Sequence, residues 1–546
     1  MTKFIVVTGG VISGLGKGIL IASIGKLLSS KYKCAAVKCD GYLNVDPGTM
    51  NPVEHGEVFV LDDGTECDMD FGHYERFMSV SAKGDWNLTM GKIYKSILEK
   101  ERKGDYLGKT VQLIPHVTDE IKSRFYKIAD QEKCDVLLIE IGGTVGDMEN
   151  MLYLEAVRQL AGEKGRDNVM FVHLSYVPIP KGVNEQKSKP TQLSVKTLNE
   201  IGIWPDVIAA RCEDYLTEKI KKKIALFCNV DENCVFTAID VPSVYLIPGE
   251  LDKQGVREII SKKLGLELPL DGIPNWNKLA KKMVEVKNCK VNNKINIGIC
   301  GKYTSLGDSY ASVVEALHHC SANLDVEVCI KMIDTESIEK NPNTIQNEIS
   351  NLNGIIVPGG FGNRGWEGKI SVIKYARENK IPFLGICLGL QSAVVEYARN
   401  KCNLIDANST EMNPSTKNNV IILMDAQKKI VDKGGTMRLG SYEAKLKEGS
   451  IVSELYSSNF SFERHRHRFE VNPNIHEILI KNGLVLSGLS ENGLLVEYIE
   501  LPKIIHPYFV ATQSHPELKS KLEEPAPLFF GLVKSAKELK ELKKFI

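Results

Sequence analysis

The sequence predicts an α/β protein with two domains, and three observations carry this prediction. Short apolar runs rich in β-branched residues alternate with longer charged stretches of helical period, first up to Gly265 and again from Ile295. Several of these runs end in glycine-rich loops that lead into a helical pattern. The chain of 546 residues also exceeds what one hydrophobic core usually supports, because single cores stop growing at about 250–300 residues.

The N-terminal domain, residues 1–266, is predicted to be a P-loop-like domain of the Rossmann type. Its strand candidates are residues 4–7, 136–139, 169–174 and 207–210. Because strands that alternate with helices form βαβ units, we expect a mainly parallel sheet.

A change in composition separates the two domains. Residues 267–294 are rich in Pro, Asn and Lys around Trp276, with one short amphipathic stretch at 276–286, and we expect the interdomain linker here. The second domain, residues 295–546, is again predicted to be α/β. Its strand candidates are residues 295–300, 354–357 and 382–386.

Composition limits the classes of partner. Lys plus Arg and Asp plus Glu each number 69, so the formal net charge is +0 and no field over the whole chain attracts nucleic acid or an anionic membrane. No apolar run reaches the ~18 residues of a membrane-spanning helix. We therefore expect neither a nucleic-acid nor a membrane partner. The 13 scattered cysteines lack paired zinc-type spacing and favour reduced thiols in a cytoplasmic protein.

The strongest chemical signal of the second domain is the segment Gly-Ile-Cys-Leu-Gly at 385–389. It follows an apolar strand and precedes a helix, and its spacing is that of a nucleophile elbow. Such a turn places Cys387 near a helix N-terminus, where the positive end of the helix dipole favours the thiolate. A buried structural cysteine at a glycine-flanked strand end is the alternative interpretation.

Two further segments offer the groups that a thiolate nucleophile needs. His515 and Glu517, in a His-Pro-Glu sequence, offer an imidazole base and a carboxylate that orients it. The loop Pro-Gly-Gly-Phe-Gly at 358–362 offers unobstructed backbone N–H groups for an oxyanion, with Gly360 as the predicted donor. The predicted catalytic triad is therefore Cys387, His515 and Glu517.

Residues 295–535 resemble the class I, triad-type glutamine amidotransferase domains. The resemblance is carried by PFLGICLGLQ, the PGGFG loop, the His-Pro-Glu sequence, NSTE and ERHRHR. It implies that Cys387 hydrolyses glutamine and that Glu411 and Arg468 hold its polar ends, as one acid and one bidentate guanidinium would. The implied glutamine-binding residues are Gly360, Leu388, Gly389, Leu390, Gln391, Glu411 and Arg468.

The N-terminus carries a predicted phosphate-binding loop between an apolar strand and an apolar helix. Backbone N–H groups and Lys17 would hold a triphosphate at the helix N-terminus. The loop departs from the Walker A pattern, because Gly10 falls one position early and Gly18 replaces the Mg²⁺-binding Ser or Thr. The predicted ATP-binding residues of this segment are Gly14, Leu15, Gly16, Lys17, Gly18 and Ile19.

Another group must therefore hold the Mg²⁺ that accompanies ATP. Asp70 and Glu140 are the predicted ligands, because Mg²⁺ prefers one or two carboxylates together with phosphates. Asp70 is also a predicted ATP contact, with a solvated loop acid as the alternative. Lys38, on a strand before Asp40, is predicted to add charge near the γ-phosphate, and a surface lysine is the alternative.

Nearly the whole chain, from Thr8 to about Ser535, resembles the CTP synthase family. The blocks that carry this resemblance are GGVISGLGKG, NVDPGTM, EHGEVFV, GHYERF, KERKGDYLGKTVQ, EIGGTVGDMEN and KPTQ. It implies a ligase of pyrimidine biosynthesis in which ATP phosphorylates the uracil 4-oxygen of UTP and ammonia from glutamine displaces the phosphate to give CTP. Because ammonia would protonate in bulk solvent, an internal passage is implied, and Pro52, His55 and Val58 match the family's ammonia gate.

The same resemblance implies nucleotide contacts and regulators. Ile239, Asp240 and Val241 match an ATP-contacting segment, and residues 363–368 match a lid through which GTP acts as an allosteric activator. Feedback inhibition by CTP, a homotetramer and possible filaments are also implied. The implied UTP- or CTP-binding residues are Ser13, Asp147, Met148, Glu149, Lys187, Ser188, Lys189, Pro190, Thr191, Gln192 and Lys223.

Two other interpretations are compatible with these residues. One is another ATP-dependent glutamine amidotransferase ligase, which would differ only in the acceptor. The other is a catalytically inactive nucleotide-binding filament protein, against which the intact triad residues argue.

Overall fold

The computed structural model describes residues 1–49, 56–269, 272–288, 294–302, 307–424, 427 and 436–542. These residues form two units. The first comprises Met1–Pro47 and Asp70–Lys281, and the second comprises Gly48–Met69 and Lys282–Ile546. The predicted gate residues Pro52 and His55 lie outside the described residues.

The strands of the described residues are, in chain order, β1 Lys3–Gly9, β2 Cys34–Asp40, β3 Phe59–Val60, β4 Glu66–Cys67, β5 Asn87–Thr89, β6 Val136–Ile141, β7 Val169–Tyr176, β8 Val207–Cys212, β9 Val235–Ile239, β10 Lys294–Gly301, β11 Glu327–Asp334, β12 Gly354–Val357, β13 Phe383–Ile386, β14 Asn408–Ser409, β15 Asn419–Leu423, β16 Arg438–Leu446, β17 Phe460–His467, β18 Phe469–Val471, β19 Val485–Ser490, β20 Val496–Glu500 and β21 Phe509–Thr512.

The α-helices of the described residues are α1 Lys17–Ser29, α2 Asp70–Met78, α3 Met90–Lys103, α4 Thr118–Glu132, α5 Met151–Lys164, α6 Lys189–Glu200, α7 Glu218–Cys228, α8 Ile247–Lys253, α9 Val256–Leu264, α10 Pro274–Glu285, α11 Ala311–Leu324, α12 Thr335–Lys340, α13 Ile345–Ile349, α14 Trp366–Glu378, α15 Leu388–Asn400, α16 Ile451–Tyr456, α17 His476–Lys481 and α18 Pro527–Leu542. Among them, none has both the length and the apolar character needed to cross a bilayer.

A seven-stranded sheet in the order β5-β2-β6-β1-β7-β8-β9 forms the centre of the first unit. Its neighbouring strands are all parallel, as the sequence predicts. Strands β2 and β6 are buried along their whole length, which is typical of a sheet covered on both faces by helices. Strand β1 lies in the middle, so the glycine-rich loop that follows it opens at the centre of the carboxyl edge.

A nine-stranded sheet in the order β11-β10-β12-β13-β21-β20-β19-β16-β17 runs through the second unit. Its first five strands are parallel, and the other four continue the sheet in antiparallel fashion. The neighbours β12, β13 and β21 end at the same edge. The loop 358–362, Cys387 and His515 follow directly after these three strands.

Helix α10, within the predicted linker, packs into the first unit through Trp276. This side chain is 1% exposed, and its Nε1 donates a hydrogen bond of 2.8 Å to the Tyr245 carbonyl. Its ring lies 5.0 Å from that of Phe77, and the Lys26 ammonium lies 4.5 Å above it. The stretch up to Lys281 therefore belongs to the first unit.

Replacing Trp276 by Ala is expected to lower the free energy of unfolding of the first unit by about 3–5 kcal/mol, because the buried ring leaves a cavity. Urea unfolding followed by circular dichroism measures the change. Trp204 is a matched control in the same unit because it is 54% exposed. Its replacement by Ala is expected to change the free energy by no more than about 0.5 kcal/mol. Equal losses in the two variants would contradict the anchoring role.

Candidate active sites

Cys387 lies at the turn between β13 and α15. Its φ of 53° is in the left-handed region, and its N–H donates a hydrogen bond of 2.7 Å to the Thr512 carbonyl. Helix α15 begins at the next residue, so the sulfur lies at a helix N-terminus. The flanking glycines make this turn possible, since a Cβ on Gly385 would lie 2.9 Å from the Gly389 carbonyl oxygen and one on Gly389 would lie 2.1 Å from the Val357 carbonyl oxygen.

His515 follows β21, the strand next to β13. Its Nδ1 lies 2.7 Å from Glu517 Oε1, and its buried Nε2 has no hydrogen-bond partner among the described residues. Burial alone would lower the pKa of His515, but the Glu517 carboxylate and the nearby Cys387 raise it to about 10. A protonated imidazole next to the thiol can therefore pair with a thiolate and pass a proton to a leaving amine.

One cavity of about 130 Å³ connects these groups. Its lining includes Val58, Gly360, Cys387, Arg466, His515 and Glu517. A Cβ on Gly359 would lie 2.7 Å from His515 Cε1 and 3.5 Å from Cys387 Cβ, so a side chain at this position would intrude between the base and the nucleophile. The structure thus brings the predicted triad, the predicted oxyanion donor and the predicted gate residue Val58 to one cavity.

Glu411 and Arg468, the predicted contacts for the polar ends of glutamine, have different hydrogen-bond partners. The Gly362 N–H donates to Glu411 Oε1 at 2.9 Å, so this acid reaches the 358–362 loop. The Arg468 guanidinium donates to Gln427 Oε1 at 2.6 Å and to Thr436 Oγ1 at 2.9 Å.

The predicted contacts at the start of α15 are buried. Gln391 is 2% exposed, and its amide donates to the Phe469 carbonyl at 3.0 Å and to Gln513 Oε1 at 3.3 Å. Leu388, Gly389 and Leu390 are also buried, and the first turn of the helix that they form offers backbone N–H groups.

Lys369 is a charged residue of this site that sequence reasoning missed. It lies on α14, is 1% exposed, and its Nζ lies 3.8 Å from where a Cβ on Gly360 would be. Burial lowers its pKa to about 8, with the Lys302 ammonium acting in the same direction and Cys387 and Glu411 opposing it. The signal available in the sequence was its helical spacing from Trp366, which puts a lysine on the apolar stripe of α14.

In the first unit, the predicted phosphate-binding loop leads from β1 into α1. Gly14 and Gly16 have φ values of 74° and 94°, which glycine adopts without strain. Lys17 begins the helix, and its Nζ donates to the Gly143 carbonyl at 2.8 Å. Leu15 is buried and Ile19 half-buried, while Ser13 is exposed.

Gly18 leaves room for Asp70. A Cβ on Gly18 would lie 2.3 Å from Asp70 Oδ1, so the carboxylate occupies the space that a Ser or Thr side chain would need. Although burial opposes ionisation, the ammonium groups of Lys38, with which it forms an ion pair, and Lys17 hold the pKa of Asp70 below its usual value. The departure from the Walker A pattern thus places an ionised acid at the helix N-terminus.

Glu140, near the end of β6, supplies a second acid to the same site. It is buried and accepts a hydrogen bond from the Tyr74 hydroxyl. Burial raises its pKa to about 7, with Lys38 and Lys17 opposing and Asp70 reinforcing the shift. Two carboxylates with neighbouring lysines fit a Mg²⁺ ion that takes its remaining ligands from phosphates and water. Across the described ranges, no group of three or more His, Cys, Asp or Glu has metal-holding geometry.

Arg211 connects the predicted ATP segment with the phosphate-binding loop. Its guanidinium pairs with Asp240 at 2.6 Å and lies 3.6 Å from where a Cβ on Gly16 would be. Ile239 is the last residue of β9, which runs parallel to β8, so residues 239–241 lie at the carboxyl edge of the sheet. Arg211 is a second residue that the sequence motifs did not reveal.

Asp147, Met148 and Glu149 follow the loop after β6 that contains Gly143, whose carbonyl accepts a hydrogen bond from Lys17. Asp147 Oδ2 accepts from the Thr144 N–H at 2.8 Å and lies 3.4 Å from where a Cβ on Gly143 would be. Met148 and Glu149 are exposed. The predicted UTP contacts at 147–149 are therefore close to the residue whose carbonyl receives Lys17.

The predicted KPTQ segment begins helix α6. The Thr191 hydroxyl donates to the Tyr176 carbonyl at 3.1 Å, and the Gln192 amide donates to Ser188 Oγ at 3.0 Å. Pro190 occupies the first turn, after Lys189.

The two other lysines of the predicted pyrimidine site share an acidic neighbour. The Lys187 ammonium pairs with the Glu185 carboxylate at 2.6 Å. Lys187 and, more weakly, Lys223 lower the pKa of that carboxylate. Helix α6 meets the phosphate-binding loop through Ser194, whose Oγ lies 1.6 Å from where a Cβ on Gly10 would be.

Comparison with known proteins identifies the family. Residues 3–266 match the model described as CTP synthase N-terminus, and residues 305–535 match glutamine amidotransferase class-I. The chain is 55% identical over 538 residues to a CTP synthase of Borreliella afzelii (strain PKo), covering 98% of this chain and 99% of the relative. The chain belongs to the CTP synthase family. The family predicted from the sequence is thereby confirmed, together with its two α/β parts.

Another CTP synthase matches over nearly the same length, and a solved structure matches one part of the chain. A CTP synthase of Pyrococcus abyssi (strain GE5 / Orsay) is 52% identical over 545 residues, which is 100% of this chain and 99% of the relative. A solved structure described as the Trypanosoma brucei CTPS glutaminase domain with bound acivicin is 38% identical. It covers 45% of this chain and 94% of that chain, with a TM-score of 0.42.

In this member of the CTP synthase family, Glu517→Gln is expected to lower kcat/KM for glutamine hydrolysis by about 10²–10⁴-fold, because the imidazole loses the carboxylate that orients it. The same carboxylate raises the pKa of His515, so its removal should move the alkaline limb of the pH–rate profile to lower pH. Glutamate release measured between pH 6 and 10.5 tests both effects. A limb at the same pH in both proteins would show that Glu517 does not set the protonation of His515.

Proposed function

We propose that the cavity at Cys387 is a glutaminase site and that the loop site at Lys17 and Asp70 uses the ammonia it releases. As a member of the CTP synthase family, the chain is a glutamine-hydrolysing ligase that aminates UTP to CTP with consumption of ATP. One observation carries the glutaminase assignment. Three adjacent parallel strands deliver the 358–362 loop, Cys387 and His515 to a single cavity.

The domain limits that we propose for this division are residues 1–266 for the synthetase domain, 267–294 for the linker and 295–546 for the amidotransferase domain. Gly48–Met69 groups with the second unit and the segment up to Lys281 with the first. Part of the glutaminase unit is thus encoded within the proposed synthetase domain.

In the proposed glutaminase reaction, the Cys387 thiolate attacks the carboxamide carbon of glutamine. The N–H groups of Gly360 and Leu388 receive the developing oxyanion, and the buried Lys369 ammonium adds positive charge beside Gly360. His515 gives its proton to the departing ammonia and then takes one from the water that hydrolyses the thioester, while Glu517 holds the imidazole in place.

Glutamine is held in this proposal by its two charged ends. Glu411 accepts from the ammonium, and Arg468 binds the carboxylate, which requires it to exchange or share its contacts with Gln427 and Thr436. Gln391 supports the site from the core, where its amide donates hydrogen bonds to the Phe469 carbonyl and to Gln513 Oε1.

In the proposed synthetase site, the N–H groups of the loop 14–19 and the ammonium groups of Lys17 and Lys38 bind the triphosphate of ATP. Asp70 and Glu140 would hold Mg²⁺, which when bound neutralises phosphate charge. Phosphorylation of the uracil 4-oxygen turns a poor leaving group into one that neutral ammonia can expel. Ile239–Val241 complete the ATP site.

For UTP, and for CTP as a feedback inhibitor, we propose contacts with Ser13, residues 147–149, residues 187–192 and Lys223. The ammonium groups of Lys187, Lys189 and Lys223 suit a triphosphate, and those of Lys189 and Lys223 are exposed. We further propose allosteric activation by GTP at the lid 363–368, a homotetramer that can form filaments, and a cytoplasmic location, where the free cysteines of the described residues would stay reduced.

Cys387→Ala is expected to abolish CTP formation from glutamine and to leave CTP formation from added ammonium salts within about twofold of the parent, because only the nucleophile is lost. The absorbance change from UTP to CTP measures both rates. Glutamate release without CTP in the parent enzyme would instead indicate another acceptor, and no turnover with either nitrogen source would indicate an inactive nucleotide-binding protein.

Gly18→Ala is expected to give the opposite pattern. The new Cβ would displace the Asp70 carboxylate, so ammonia-dependent CTP synthesis should fall by about 10²-fold or more, as expected when a catalytic group is misplaced. Basal glutamate release should persist. Gly162→Ala on α5 is the control, because a Cβ there meets no atom within 4 Å. Normal ammonia-dependent synthesis in Gly18→Ala would contradict the role of Asp70.

A further inference from the structure

The hairpin of β3 and β4 belongs to the glutaminase unit although it lies early in the sequence. Two of its acids meet two arginines of β17, about 400 positions later in the chain. Asp62 Oδ1 accepts from Arg464 Nε at 2.7 Å, and Glu66 Oε1 accepts from Arg466 Nε at 2.8 Å. Lys519 adds a third cation 3.2 Å from Asp62.

The main chain of the same two arginines holds the catalytic pair. The carbonyl of Arg464 accepts the N–H of His515 at 2.7 Å. The carbonyl of Arg466 lies 3.8 Å from the Cys387 sulfur. Each arginine is therefore fixed by a hairpin acid at its side chain and contacts a catalytic residue through its backbone.

Arg466 also reaches the proposed oxyanion loop. Its guanidinium lies 5.3 Å from the ring of Phe361, the residue after Gly360, and both Arg466 and Phe361 line the cavity. A planar guanidinium that binds a carboxylate on one side and an aromatic face on another has few alternative positions. Glu66 thus limits the movement of the side chain that contacts this loop.

Close backbone contacts keep the hairpin in this place. The Ser441 N–H donates to the Asp62 carbonyl at 2.9 Å, and a Cβ on Gly440 would lie 2.7 Å from the Gly64 nitrogen. Arg464 is 1% exposed, and a buried cation without its counter-charge is unfavourable. Loss of either acid is therefore expected to change the position of its arginine side chain, and with it that of the attached carbonyl.

We infer that Asp62 and Glu66 are positioning residues for glutamine hydrolysis, acting through Arg464 and Arg466 on His515, Cys387 and the 358–362 loop. The inference rests on the proposed glutaminase function of that cavity. It assigns to the early hairpin a part in the geometry of a site whose reacting groups all come from the C-terminal half of the chain.

The test compares Glu66→Gln and Asp62→Asn with the parent enzyme in full-length protein. Both are expected to lower kcat for glutamate release by about tenfold or more, because small displacements of reacting groups are costly. KM for glutamine should change by less than about twofold, since the residues proposed to hold the substrate, Glu411 and Arg468, are not touched. A smaller fraction of folded enzyme would also lower the apparent kcat without changing KM, but it would lower ammonia-dependent CTP synthesis equally.

Asp63→Asn is the matched control. Asp63 lies on the same hairpin and loses the same charge, and its carboxylate accepts from the nearby Thr65 N–H at 3.0 Å, a hydrogen bond that an asparagine oxygen can still accept. It should keep the kcat of the parent, and ammonia-dependent CTP synthesis should be unchanged in all three variants. An unchanged kcat in Glu66→Gln and Asp62→Asn, or an equal loss with ammonia, would overturn the inference. Failure of the parent to hydrolyse glutamine would instead overturn the proposed function.

Discussion

The hydrogen bond from the Cys387 N–H to the Thr512 carbonyl is the constraint on which the glutaminase site depends. This bond continues the pairing of β13 with β21 by one residue past the end of β13. The segments that carry the proposed nucleophile and base therefore leave the sheet next to each other. The preceding neighbour, β12, ends at the same edge and delivers the glycine loop. Because hydrogen-bonded parallel strands have a fixed spacing, the distance between the reacting groups is set by the sheet and not by mobile loops.

The synthetase site is organised by charge instead of by strand register. Lys17, Lys38, Asp70 and Glu140 come from four different elements and share one region at the carboxyl edge of the first sheet. The neighbouring ammonium groups hold the pKa of Asp70 below its usual value, while burial, reinforced by Asp70, raises the pKa of Glu140 to about 7. Such a balanced set can accept both a polyphosphate and a divalent cation without a large change in total charge. The absence of a side chain at Gly18 is what allows this arrangement.

Local motifs predicted much of both sites. The nucleophile elbow, the His-Pro-Glu sequence and the glycine loop are each short runs of residues, and the chemistry that a thiolate nucleophile needs predicted that they act together. Lys369, Arg211 and the acids Asp62 and Glu66 could not be found this way, because their roles arise from contacts between distant segments. The antiparallel part of the second sheet was not predicted either, since β16 and β17 are partly exposed and lack continuous apolar runs. The sequence places Trp276 in an amphipathic stretch, but its anchoring role depends on contacts with Phe77 and Tyr245, which are distant in the sequence.

The early hairpin has a consequence for how such enzymes can be recombined. A fragment cut from residue 295 onward would contain every reacting group of the proposed glutaminase, yet Arg464 and Arg466 would lack the carboxylates of Asp62 and Glu66. Grafting this half onto a different ligase therefore requires three crossover points, one on each side of residues 48–69 and one near the linker, if Asp62 and Glu66 are to stay paired with the two arginines. Evolutionary exchange of the two halves as simple modules would be restricted for the same reason.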